Sequence, residues 1–275
     1  MAARPATTCK DHSKPEGSHD LAINNTPLRR LFTRLAEETV GRLYKSDGLC
    51  TPISRNKIIK TGHRVRLTEA ATIKFVGPSY ILMERIRGEE IPAAWKRLGE
   101  DGRRKIFSQL KAMFEELRSL KPPPGTGAES CVGGRGYDCR IPRCPQFGPF
   151  KTIQDFHFWL REGFNLTDQP KPDNLDETEW ADLEKTVAMH EGPFPPPVFT
   201  HGDLNPFNIL VRGDEVVGIV DREFGGWYPH YWEYTSAWYG NLWRSEWQGL
   251  VDQFLETFPA ELEMEITRNK WWGEW

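Results

Sequence analysis

The chain has 275 residues, 38% apolar and 27% charged, which is long enough for one or two lobes around a sizeable core. A formal net charge of −3, with lysines and arginines dispersed along the chain, excludes the basic stripe that non-specific nucleic-acid binding requires. No window approaches about eighteen uninterrupted apolar residues, the start "MAARPATTCKDHSKPEGSHD" has no apolar centre, and five cysteines are an odd count; the expectation is a cytoplasmic protein with neither a membrane nor a nucleic-acid partner.

Residues 1–27 are polar and poor in aromatics, and read as a disordered tail. "LRRLFTRLAEETVGRLY" then carries Leu28, Leu31, Phe32 and Leu35 at helical spacing, which predicts a short amphipathic helix. From Gly41 the pattern changes to strand-like pieces, "GRLYK", "LCTPIS" and "KIIKT", divided by the turn-forming clusters "SDG" and "SRN"; this predicts an antiparallel meander. "LTEAATIKFV" reads as a helix capped by Thr68, and "YILMERI" as one more buried strand.

Farther on, Ile106, Leu110, Met113, Phe114, Leu117 and Leu120 form an apolar stripe, predicting a helix stopped by "PPP" at 122–124. Residues 125–150 are glycine-rich without periodicity and read as a long loop. "TIQDFHFWL", "DETEWADLEKTVAMH" and "SEWQGLVDQFLETF" read as further helices. Cys131, Cys139 and Cys144 lack a CxxC pair and a flanking histidine, which argues against zinc.

The densest chemistry lies in "THGDLNPFNILV". Asp203 and Asn208 stand five apart in a segment too rich in Gly, Pro and Asn to be regular. "NILV" and "VVGIV" flank "RGDE" as a hairpin, which returns Asp221 towards Asn208. Asp and Asn oxygens are hard ligands suited to Mg²⁺, and a further aspartate can accept a proton from a hydroxyl. That order and spacing is the one phosphoryl transfer uses: a catalytic aspartate, then a metal-binding asparagine, then a second metal-binding aspartate after a hairpin. The plain alternative is a polar turn whose Asp and Asn cap their own backbone.

With these segments the chain resembles the aminoglycoside phosphotransferase and choline kinase-like family, in a branch frequent in fungi. The carriers are "ISRNKIIKTGHRVRLTEA", "YILMERIRGEEIPAAW", "LRSLKPPP", "FTHGDLNPFNILV" and "GIVDREFGGWYPHYWEYTSAW". The resemblance implies an α+β, two-lobed protein kinase-like fold, with a small antiparallel N-lobe over 28–86 and a helical C-lobe over 87–275. It implies transfer from ATP, with Mg²⁺, to a hydroxyl of a small molecule. Asp203 would be the catalytic base, Asn208 and Asp221 the metal ligands, and His201 a support for the loop. Glu223 would stabilise the metal loop.

On the nucleotide side, kinases hold phosphates with a strand lysine oriented by a helix glutamate. Lys60 shares a strand face with Ile58, away from Lys57, and is the preferred lysine. The resemblance aligns Glu69 with its partner and "MERI" with the adenine-binding hinge, which brings in Glu84 and Ile86.

Two departures stand out. Only "GPS" at 77–79 joins the "FV" of the glutamate helix to "YILME", where family members carry a longer connection with a further strand. The competing expectation is therefore a catalytically weak or inactive kinase-like binding protein with a truncated N-lobe. Arg222 stands where an apolar residue often follows the metal aspartate, and is expected to face solvent.

The aromatics from Trp227 to Trp247 suit either a cage for a quaternary ammonium or core packing. Glu233, Glu246 and Asp252 nearby suit either a cationic acceptor or a solvated helix face.

Overall fold

The structure, a computed structural model, describes residues 27–44, 49–61, 80–138, 141, 146–167, 171–240 and 245–273. Three short strands build the small sheet: β1 (Cys50–Pro52), β2 (Lys57–Thr61) and β3 (Tyr80–Glu84), antiparallel in the order β1-β2-β3. The turn at 53–56 forms because the Ile53 and Ser54 N–H groups both reach the Lys57 carbonyl, while Asn56 N–H donates to the Ser54 hydroxyl at 3.2 Å. Along β2, Lys57 is exposed, Ile59 is fully buried against Ile53 and Leu82, and Lys60 is buried. Among the described residues β3 is an edge of this sheet. The helix expected over "LTEAATIKFV" lies outside the described residues.

The amphipathic helix forms as α1 (Pro27–Glu38), with its stripe outward: Leu28, Leu31, Phe32 and Leu35 are exposed and Thr33 is buried. The described part of "GRLYK", residues 41–44, is not a strand. It opens as a 3₁₀ turn, Val40–Leu43, in which Arg42 N–H reaches the Thr39 carbonyl and Tyr44 N–H the Gly41 carbonyl. Leu43 is 82% exposed, so the alternation that suggested a strand has no buried face to serve.

The larger part follows. Short β4 (Glu89–Glu90) and α2 (Ile91–Trp95) lead into α3 (Glu100–Arg118), with Glu100 and Asp101 in its first turn and Arg118 in its last, as the helix dipole favours. Its buried face is Ile106, Phe107, Leu110 and Phe114.

Among its described residues the glycine-rich stretch carries three short strands, β5 (Glu129–Ser130), β6 (Gly136–Tyr137) and β7 (Gln146–Phe147). β5 pairs with β11 (Gly226–Tyr228), which also pairs with β8 (Val198–Thr200). A Cβ on Gly226 would meet the Glu129 carbonyl oxygen at 2.4 Å, so this pairing depends on glycine.

Helices α4 (Ile153–Leu160) and α5 (Glu177–Glu191) are capped by Thr152 and Asp176, which accept the Asp155 and Glu179 N–H groups. The C-terminal helices are α6 (Trp232–Tyr239), α7 (Ser245–Val251) and α8 (Pro259–Trp272). α7 closes after Val251, earlier than its apolar pattern suggests, as the chain turns through Gln253 and Phe254 N–H bonds to carbonyls three residues back.

Two cores support the candidate site. One joins α3 to the hairpin of β9 (Ile209–Arg212) and β10 (Glu215–Ile219) through Leu110, Leu204, Ile209, Val211 and Phe254. The other is aromatic, built on Phe147, Phe156, Tyr228, Tyr231 and Trp232. Each fully buried side chain of this size contributes roughly 1.5–3 kcal/mol relative to exposure.

Candidate active site

β8 delivers the chain to residues 201–208. Gly202 sits at φ +81°, and a Cβ there would meet the Phe224 carbonyl oxygen at 2.9 Å, so glycine is required. The turn presents two consecutive N–H groups to one carboxylate. Glu233, 1% exposed in the first turn of α6, accepts from His201 N–H at 2.6 Å and from Gly202 N–H at 3.2 Å. A carboxylate so buried needs such donors. Glu233 was expected to meet a cationic acceptor or solvent; it anchors the loop instead.

The His201 imidazole extends this bracing. Its Nε2 lies 3.0 Å from the Val220 carbonyl oxygen, and its Nδ1 accepts Asp203 N–H at 3.3 Å. A carbonyl can only accept, so this network assigns the proton to Nε2. The ring is 2% exposed and supports the loop from behind.

Asn205 caps the 3₁₀ turn Pro206–Asn208 by accepting Phe207 N–H at 3.0 Å. The Asn208 amide nitrogen donates to the Asp203 carbonyl oxygen at 2.8 Å and to Asp203 Oδ2 at 2.9 Å. Asn205 Nδ2 reaches the same Oδ2 at 3.3 Å. Because Asn208 faces two oxygens, its amide orientation is determined by chemistry, and Nδ2 rather than Oδ1 points at Asp203.

The hairpin then brings the chain back. Ile219 lies opposite Ile209, and Val220 N–H donates to the Asn208 carbonyl at 2.8 Å. Asp221 takes φ +63°, a left-handed conformation that aspartate adopts more readily than most residues. Its Oδ1 receives Lys60 Nζ at 2.8 Å, with the lysine side chain 9% and the aspartate side chain 35% exposed. A buried ammonium requires a partner of this kind.

The structure thus brings together Asp203, Asn208, Asp221 and Lys60. Glu69 lies outside the described residues. Glu84 ends β3 with its side chain exposed and pairs with Lys57. Ile86 rests on the hairpin: a Cβ on Gly218 would meet its Cδ1 at 2.6 Å, so the glycine makes room for it.

Arg222 is half-buried in the wall of a cavity rather than turned to solvent. Trp227, Tyr228, Tyr231, Trp232, Tyr234 and Trp247 are buried, and Tyr228 stacks on Trp232 at 5.6 Å, which answers the choice between cage and core in favour of core for these six; Trp238 and Tyr239 are half-buried, and Trp243 lies outside the described residues.

For the metal, Asn208 and Asp221 supply an amide and a carboxylate. Among the described residues no group of three or more His, Cys, Asp or Glu is arranged to hold a metal ion. The smaller set fits Mg²⁺, which takes most of its oxygens from phosphates and water. The loop's missed component, Glu233, had one sequence signal: a single acid inside the apolar run "WYPHYWEYTSAW".

Among solved structures, the chain is similar to the gentamicin complex of APH(2")-IIa at 12% identity and a TM-score of 0.50, covering 90% of this chain and 87% of that one. It also matches aminoglycoside phosphotransferase APH(3'')-Id from Streptomyces rimosus, in complex with ADP and streptomycin, at 14% identity and a TM-score of 0.46, covering 90% of this chain and 100% of that one. No curated protein gives a significant match. The first likeness shows the fold, a two-lobed protein kinase-like α+β architecture with a small antiparallel sheet in one lobe and a mostly helical second lobe. The sequence profile described as the phosphotransferase enzyme family matches residues 65–265, and with the loop, hairpin and lysine arranged as above, the chain belongs to that family.

Proposed function

We propose that the protein is an ATP- and Mg²⁺-dependent phosphotransferase that moves a phosphoryl group to a hydroxyl of a small molecule. The observation that carries this reading is the ion pair at 2.8 Å between Lys60 and Asp221, 161 positions apart, beside the Asp203–Asn208 contact. A polar turn capping itself has no need of a distant buried lysine.

In this reading Asp203 takes the proton of the acceptor hydroxyl, and the amides of Asn208 and Asn205 orient its carboxylate. His201 and Glu233 hold the loop so that this orientation survives substrate exchange. Lys60 supplies a cation for the nucleotide phosphates, and Glu84 and Ile86 belong to the segment that meets the base. Asn208 and Asp221 would hold Mg²⁺, which when bound neutralises charge on the transferring phosphates.

The test is thermal unfolding with ATP, with and without Mg²⁺, followed by phosphate transfer to a panel of alcohols including choline, gentamicin and streptomycin. Magnesium-dependent stabilisation is expected, together with turnover on at least one alcohol. Asp203→Asn should preserve that stabilisation and lower turnover by about 10² to 10⁴. Normal turnover in that variant, or stabilisation by ATP indifferent to Mg²⁺, overturns the assignment. Magnesium-dependent binding with no alcohol phosphorylated would favour the binding-protein alternative, which the short "GPS" connection supports.

A further inference from the structure

Arg222 has no role in the transfer described above. Its guanidinium meets no hydrogen-bond or ion-pair partner among the described residues, although the side chain is half-buried. It lines a cavity of about 340 Å³ that also takes in His201 of the 201–208 loop. Among the described residues the remaining wall is mostly apolar, with Met113 and Leu117 from α3, Leu120 just after it, Phe199 from β8 and Ile219 from β10. Met113 and Leu120 are 37% and 49% exposed, so apolar surface is left uncovered.

Two polar groups also stand in the described lining. Glu116 is exposed, and water screens its charge. The buried His201 contributes its ring. A cation drawn into an apolar wall without a counter-charge is unfavourable, and an anion arriving with its own apolar body removes that cost while covering the wall. The volume lies within the range of about 300–1,000 Å³ common for small-molecule sites.

We propose that this cavity is a binding site for a small amphiphilic monoanion, an aliphatic chain bearing a carboxylate. Its chain lies along Leu117, Phe199 and Ile219, and its carboxylate meets Arg222. Such a ligand rests against His201, whose imidazole links Asp203 to Val220, so occupancy is felt at the loop.

The experiment titrates decanoate into the full chain by calorimetry, without nucleotide, with decan-1-ol and decylamine as comparators. Saturable binding of decanoate is expected, about tenfold or more tighter than decylamine, with a shift of the His201 ring resonances. Arg222→Met should weaken decanoate about tenfold and leave decan-1-ol unchanged. Leu117→Trp should abolish both by filling the cavity; should that variant unfold, Met113→Trp at an exposed position carries the same test. Absent saturation, equal affinity for decylamine, or decanoate affinity unchanged by Arg222→Met overturns the proposal. Nucleotide is absent throughout, so failure of the kinase reading leaves this result standing.

Discussion

Ile59 and Ile209 are the same side chain, both fully buried, and each adjoins a residue of the candidate site, Lys60 in one case and Asn208 in the other. Their surroundings differ. Ile209 belongs to a cluster that runs through Ile106, Leu110, Leu204, Val211 and Phe254, whereas among the described residues Ile59 packs with Ile53 and Leu82. Burial therefore says little about stiffness. Among the described residues the carboxylate side of the site stands on a large core and the lysine side on the small cluster of Ile59, Ile53 and Leu82, and on that comparison opening the lysine side should cost less free energy.

The largest effect that tests this contrast is one substitution made twice. Ile209→Ala removes packing from the thick core and should lower global stability by about 2–5 kcal/mol, read as a urea midpoint shift. Ile59→Ala, whose described apolar partners are Ile53 and Leu82, should fall at the low end of that range, about 2 kcal/mol, with weakened binding of the proposed Mg-ATP as its main symptom. Equal losses of global stability would show that the two lobes unfold as a unit and would remove the contrast.

Acid should narrow the difference from the other side. His157 on α4 and His190 on α5 are fully buried and stacked at 4.3 Å, with His157 also 2.6 Å from the Tyr231 hydroxyl. Burial holds His157 far down, to about 3, against a partial opposing effect of the His190 carbonyl, and Arg161, Arg268 and His230 add repulsion. Burial likewise holds His190 well below 6.5, reinforced by His157, Arg161 and Arg268.

Both groups are neutral when folded and take up protons when unfolded. Their stabilisation is intact above pH 6.5 and is lost as pH falls below it, by about 2 kcal/mol at pH 5 for His157, with His190 acting in the same direction. Urea unfolding at pH 7.5 and 5.0 should show this fall, and His190→Leu should flatten it. An unchanged slope in His190→Leu would mean that other groups carry the acid sensitivity.

How much of this was legible before the structure depended on the range of the contact. Asp203, Asn208 and Asp221 stand close in sequence, and a hairpin with turn residues at "RGDE" sufficed to bring Asp221 back. The choice of Lys60 over Lys57 came from strand alternation, and the structure buries the one and exposes the other. Glu233 was misplaced because its partners, the His201 and Gly202 N–H groups, are backbone atoms, and nothing in their side chains announces an acceptor. "GRLYK" alternates like a strand, yet alternation specifies a strand only where a sheet offers a face to bury, and Leu43 has none. The stretch at 125–150 reads as a long loop because it is glycine-rich without periodicity, whereas β5 within it depends on the close approach that Gly226 allows.

The smallest effect is also the most local. Amide exchange at Ile59 and Leu82 reports the sheet around Lys60, and exchange at Ile209 and Val211 reports the hairpin beside Asn208. Without nucleotide, the first pair should exchange faster, because the small cluster described around Ile59 should let them open below the global unfolding free energy. If the proposed nucleotide site includes this sheet, Mg-ATP at about ten times its Kd should then slow them by about 1.4 kcal/mol, as expected when a ligand binds the closed sheet and not the open one. Ile209 and Val211 should respond less, because they already exchange through openings close to global unfolding. Equal protection in both pairs before nucleotide is added would show that the small lobe is as firmly held as the large one. Slowing confined to Ile209 and Val211 would instead place the nucleotide on the hairpin and away from Lys60.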